Sequence, residues 1–147
     1  MSTMLKAELS RSNEFWVPKE RRLELVHFVR QMPYWIQEYN SYDISSINTH
    51  DTKVQTSDIF DRTAQSAIKK AGYSRKIKMV NTSAQKAISA VCKYMNEKSA
   101  CDLCDILINA IISDETYDSL DARFICSRDT YYKVYRAFFF FLDKERD

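Results

Sequence analysis

The residues best placed to do chemistry lie near the C-terminus, in the stretch SRDTYYKVYR from Ser127 to Arg136. At helical spacing, Ser127, Arg128, Asp129, Tyr132, Lys133 and Arg136 share the exposed side of a helix start, while Tyr131 and Val134 turn inward. A recognition helix offers such a set to the DNA major groove. Arg128 is the candidate guanine contact, and Lys133 and Arg136 suit phosphates. Asp129 accepts from cytosine N4 or caps the helix. Upstream, Leu120 and Phe124 recur at helical spacing, and Cys126 can plug a turn. Tyr117 to Arg136 therefore reads as a helix-turn-helix locked by Leu120, Phe124, Cys126, Tyr131 and Val134. Ile125 stands where the turn usually has glycine, and Asp121 where the first helix usually has a small residue. An ordinary helical hairpin capped by Ser-Arg-Asp is the plain alternative.

A second group of cations surrounds Gly72 and Tyr73. Lys69, Lys70, Arg75, Lys76 and Lys78 have no acid among them. They are candidate phosphate contacts, each adding salt-dependent affinity. The plain alternative is a solvated helix end whose cations complement the dipole.

Cys101-Asp-Leu-Cys104 has CxxC spacing. Zinc needs about four N or S ligands, and only Cys92 and Cys126 could join, because His27 and His50 lie far away in sequence. On a helix the pair shares a face that is already apolar, where thiols pack as small hydrophobes. No metal site is expected. Neither histidine has a recognisable nucleophilic partner, and no glycine-rich turn exists to aim oxyanion donors. The chain is not expected to be an enzyme, and no cofactor is implied.

The elements that must carry these residues follow from composition. The chain has 147 residues but one glycine, Gly72, and two prolines, Pro18 and Pro33. About ten glycines would be usual at this length. The shortage excludes a Rossmann motif, a P-loop and a hairpin-rich β fold, so an all-α fold is expected. Residues 1–16 read as a loose arm. Pro18 opens a helix, and Pro33 to Tyr39 forms a second short one. Asn40 to Ser57 is polar and reads as a linker. Asp58 to Lys70 is helical, with Gly72 as its C-cap, and Ser74 to Asn96 forms the next helix, closed by Asn96. Ala100 to Ile112 follows, Ser113 to Thr116 caps the first helix of the helix-turn-helix, and the last helix runs to about Lys144. The expected organisation is an N-terminal arm with helices and linker over 1–56, then a helical domain over 57–147 with the helix-turn-helix at about 115–145.

Net charge is +2 with pI near 8.3, which neither demands nor forbids a polyanionic partner. Met1 to Leu25 lacks a signal-like apolar core, and the apolar run Ala137 to Leu142 is too short to span a membrane. Reduced thiols in a cytoplasm, with no membrane partner, are expected. Phe138 to Phe141 surrounds most of one helix, which fits either burial within the chain or a homo-oligomer.

Ile125 to Leu142, ICSRDTYYKVYRAFFFFL, resembles the end of the sigma-70 region 4-like helix-turn-helix of ArpU/RinA-type phage transcriptional regulators. LVHFVRQMPY, Leu25 to Tyr34, is similar to their N-terminal helix, and DRTAQSAI, Asp61 to Ile68, to the stretch before their central helix. The resemblance implies a prophage-encoded regulator of late genes that binds double-stranded DNA through the recognition-helix positions named above and acts through host RNA polymerase. The other functional reading is a helical protein–protein interaction module, such as a phage inhibitor of a host factor, without DNA contact.

Overall fold

The computed structural model describes the backbone of residues 13–48, 56–119 and 126–146, and the side chains of 13–41, 64–119 and 126–146. The fold is all-α, with no strand among the described residues. Its elements are α1 (Lys19–Arg30), α2 (Met32–Asn48), α3 (Thr56–Val91), α4 (Glu97–Ser113), a 3-10 turn (Tyr117–Ser119) and α5 (Arg128–Arg146). Among the described residues no helix is long and apolar enough to cross a membrane. The chain divides into two compact units, Met1–Arg30 with Met79–Asp147, and Gln31–Lys78.

In the first unit, α1 packs against α4 and α5. Leu25 and Val29 on α1, Leu103 and Leu107 on α4, and Val134, Phe138, Phe139 and Leu142 on α5 are fully buried. Their spacing of three and four residues sets one inward stripe on each helix. Arg21 pairs with Asp143, and the Arg146 guanidinium lies 4.2 Å from the centre of the Phe28 ring, so charged groups close the rim of the α1–α5 contact. Phe140 and Phe141 lie off the α5 stripe but are only half-exposed. Phe15 meets them at 5.5 and 6.1 Å between ring centres. Residues 13–16, expected in a loose arm, thus form a turn, held by the Phe15 N–H donating to Asn13 Oδ1 at 2.9 Å. Covering two phenyl rings gives that turn a reason to be ordered.

The second unit holds α2 and the first part of α3 as an antiparallel pair. Tyr34 meets Tyr73 edge-on at 6.1 Å, and Lys70 sits 4.7 Å from the Tyr39 ring centre. Residues 40–48, expected as linker, continue α2. Ser, Asn and Asp cost only about 0.5–0.7 kcal/mol per residue relative to Ala, so a nucleated helix runs on through a polar stretch. Residues 49–55 of that expected linker lie outside the described residues.

Gly72 is not a C-cap. It sits inside the continuous helix α3, and it has no positive φ. A Cβ added there would meet nothing within 4 Å. Gly72→Ala is therefore expected to stabilise the protein by about 0.5–1 kcal/mol, mainly by restricting the unfolded chain. Urea unfolding of the two proteins checks this through the shift in midpoint.

The left-handed position that closes a helix belongs instead to Asp114, with φ 54° and ψ 47°. It was expected to help cap the following helix, but it terminates α4. The Glu115 N–H donates to Ala110 O at 2.9 Å and the Asp114 N–H to Ile111 O at 3.4 Å, a Schellman-type closure. Aspartate tolerates this conformation better than most side chains do. Asn96, likewise, does not close α3. It is the N-cap of α4, with Oδ1 accepting from Ser99 N–H at 2.8 Å.

Candidate nucleic-acid interface

Helix α5 begins where Ser127 caps it. The Thr130 N–H donates to Ser127 Oγ at 3.3 Å, and Ser127 Oγ donates to Thr130 Oγ1 at 3.0 Å. Ser127 is exposed, but its hydroxyl serves the helix end. The next turns place Arg128, Asp129 and Lys133 in solvent. Arg136 is half-buried, and that burial pulls its guanidinium pKa down against the opposing pull of Asp129. Arg128, Asp129, Tyr132, Lys133 and Arg136 together line a shallow hollow of 270 Å³. Positions one, four, five and eight residues apart on a helix share one face, so α5 alone brings them together.

Tyr132 departs from expectation. It is buried, with 8% of its surface exposed, so it forms the floor of the hollow and is not a projecting reader. Its hydroxyl accepts from Tyr117 N–H at 3.3 Å, and its ring packs edge-on against Tyr131 at 5.2 Å and Tyr135 at 6.1 Å. A phenol can lie inside when its hydroxyl finds a partner there. Burial raises the pKa of Tyr131 and pushes Tyr135 up to about 12. Tyr131 and Tyr135 therefore stay neutral through the physiological range.

The segment before α5 is held by Tyr117, whose hydroxyl donates to Cys126 O at 2.8 Å. Composition gave no sign of this role. Asp118 reaches Arg128, with Oδ2 3.4 Å from Nη1, while the Arg128 guanidinium lies 5.8 Å from the Tyr132 ring centre. Of the expected first helix of the helix-turn-helix, Tyr117–Ser119 forms a 3-10 turn. Leu120, Asp121, Phe124 and Ile125 lie outside the described residues. Cys126, expected to plug the turn, is half-buried.

The second cationic group does not present one face. At about 100° per residue, Lys69 and Lys76 fall on one side of α3 and Arg75 and Lys78 on the other. Lys69, Arg75, Lys76 and Lys78 are exposed. Lys70 and Lys76 lie over aromatic rings, the latter 5.6 Å from the centre of Trp35 and 5.9 Å from that of Tyr73.

Cys101 and Cys104 line a groove of 370 Å³ between α3 and α4, with Glu97, Asp105, Gln85 and Ile88 among its walls. No group of three or more His, Cys, Asp or Glu among the described residues could hold a metal ion. Cys101 is exposed, whereas burial pushes Cys104 and Cys126 up to about 11. The thiolate is the nucleophile, so a pKa shift of this size cuts the reactive fraction about 100-fold. Brief alkylation with iodoacetamide at mildly basic pH is expected to label Cys101 first, and Cys104 and Cys126 at least about tenfold more slowly. Peptide mass spectrometry of quenched time points reads the order directly.

No protein-family model, no curated protein and no solved structure matches the chain.

Proposed function

We propose that the protein is a sequence-specific DNA-binding transcriptional regulator, and that the exposed start of α5 is its recognition helix. The observation that carries this reading is the grouping of Arg128, Asp129, Lys133 and Arg136 around one shallow hollow on a single helix face. Cations at a helix N-terminal half, mounted on a rigid aromatic base, suit a grooved polyanion. The ArpU/RinA-like pattern of Ile125 to Leu142 supports the finer version. In it the protein is phage-encoded, works in a bacterial cytoplasm on late genes, and contacts host RNA polymerase. The helix-turn-helix itself belongs to this proposal.

In this reading Arg128 meets a guanine edge, Lys133 and Arg136 hold phosphates, and Asp129 excludes bases that offer no donor. Titration of a labelled duplex at several salt concentrations tests it. Affinity is expected to fall linearly on a log–log plot, by about 0.9 per phosphate contact. Lys133→Ala is expected to make that slope shallower by about 1, at nearly unchanged sequence preference. A slope unaltered by Lys133→Ala would remove this residue from the interface.

A further inference from the structure

Cys101 and Cys104 open into the same groove of 370 Å³, between the end of α3 and α4, within the first unit. Cys101 is exposed and Cys104 is half-buried. Three residues apart on one continuous helix, their Cβ atoms lie about 5–6 Å from each other. A disulfide requires about 3.5–4.5 Å. The helix therefore holds the sulfurs too far apart for a direct bond unless α4 unwinds, yet close enough to share one bridging atom.

The surroundings also favour two protonated thiols over a redox couple. Cys101 is the fifth residue of α4, beyond the first turn, where the helix dipole no longer stabilises a thiolate. Burial pushes Cys104 up to about 11, and the neighbouring Cys101 adds to the shift. Glu97 and Asp105 share the groove wall with the pair, and its lining includes no lysine or arginine. A redox-active CxxC needs the opposite setting. Zinc needs about four ligands, and no group of three or more among the described residues could supply them.

We propose that Cys101 and Cys104 form a dithiol site for a thiophilic centre satisfied by two sulfurs, of the class of monosubstituted trivalent arsenicals. With phenylarsine oxide, two As–S bonds form and the As=O bond breaks. Both thiol protons leave with that oxygen as one water, and nothing is oxidised. The exposed Cys101 bonds first, and Cys104 closes the ring. The phenyl group finds Ile88 and Ala100, apolar members of the groove lining. Because both sulfurs sit on one helix face, the second bond forms within the molecule at high effective concentration. The inference does not depend on the DNA reading.

Intact-mass spectrometry of the reduced full chain tests it, with one equivalent of phenylarsine oxide and an excess of a small monothiol. Wild type is expected to carry one adduct, which a small dithiol removes. Cys101→Ser and Cys104→Ser are each expected to bind at least about 100-fold more weakly. Because Cys101 is exposed, circular dichroism of Cys101→Ser should match wild type. Cys92→Ser/Cys126→Ser is expected to keep the adduct. A wild type without a monothiol-resistant adduct would overturn the proposal. So would an adduct that survives Cys101→Ser, or one that disappears in a folded Cys92→Ser/Cys126→Ser protein.

Discussion

Phe138→Ala is expected to destabilise the protein by about 4 kcal/mol, a large part of the total stability of a small domain. Phe138 is fully buried on α5 and meets Phe139 edge-on at 5.1 Å. Removing the ring loses its transfer free energy and leaves a cavity that Val134, Phe139 and Leu142, themselves fully buried, can only partly fill. The melting temperature should fall by about 10–20 °C. Phe141→Ala is the internal comparison. Its ring is half-exposed beneath Phe15, and the loss should be about 1–2 kcal/mol. Thermal denaturation followed by circular dichroism orders the two. Equal losses would mean that α5 does not bury one stripe preferentially.

Arg128→Ala should leave stability almost untouched while costing recognition about 1–3 kcal/mol, roughly five- to 150-fold in affinity for a selected duplex. The two effects separate because Arg128 is exposed and its ion pair with Asp118 is exposed too. Such pairs contribute about 0–1 kcal/mol. A bidentate guanine contact, once formed, has no substitute in alanine. The measurement is a pair of titrations, one with a duplex enriched by selection against the wild-type protein and one with random sequence. Loss confined to the selected duplex is the expected result, and equal loss on both would make Arg128 a phosphate contact instead.

The helical class was legible from one glycine in 147 residues, and the α4 and α5 stripes from the spacing of Leu103, Leu107, Val134 and Phe138. Helix ends were legible less often. Gly72 and residues 40–48 carry local signals for stopping a helix, but each signal is worth about 1 kcal/mol or less, and a long helix outweighs it. The same scarcity of glycine that marked the fold hid where the chain turns, since α4 ends on Asp114 in a left-handed conformation usually given to glycine. At the candidate interface, periodicity placed Arg128, Asp129, Lys133 and Arg136 on one face. It could not place Tyr132, because a tyrosine at the edge of a stripe lies in or out according to whether its hydroxyl finds a partner. Here the Tyr117 N–H supplies one from fifteen residues away. Tyr117 and Asp118 were missed for the same reason: their roles depend on the path of the chain between the 3-10 turn and α5, and no sequence spacing encodes that path.

The central claim is that the α5 face binds double-stranded DNA, and charge reversal at its two most exposed cations tests it most directly. Fluorescence anisotropy of a labelled duplex at low salt should compare wild type with Arg128→Glu/Lys133→Glu, both verified as folded by circular dichroism. The account predicts duplex binding by wild type and a loss of roughly 100-fold or more in the double variant. A wild type that does not bind duplex at low salt, or a double variant that binds as wild type does, would contradict it.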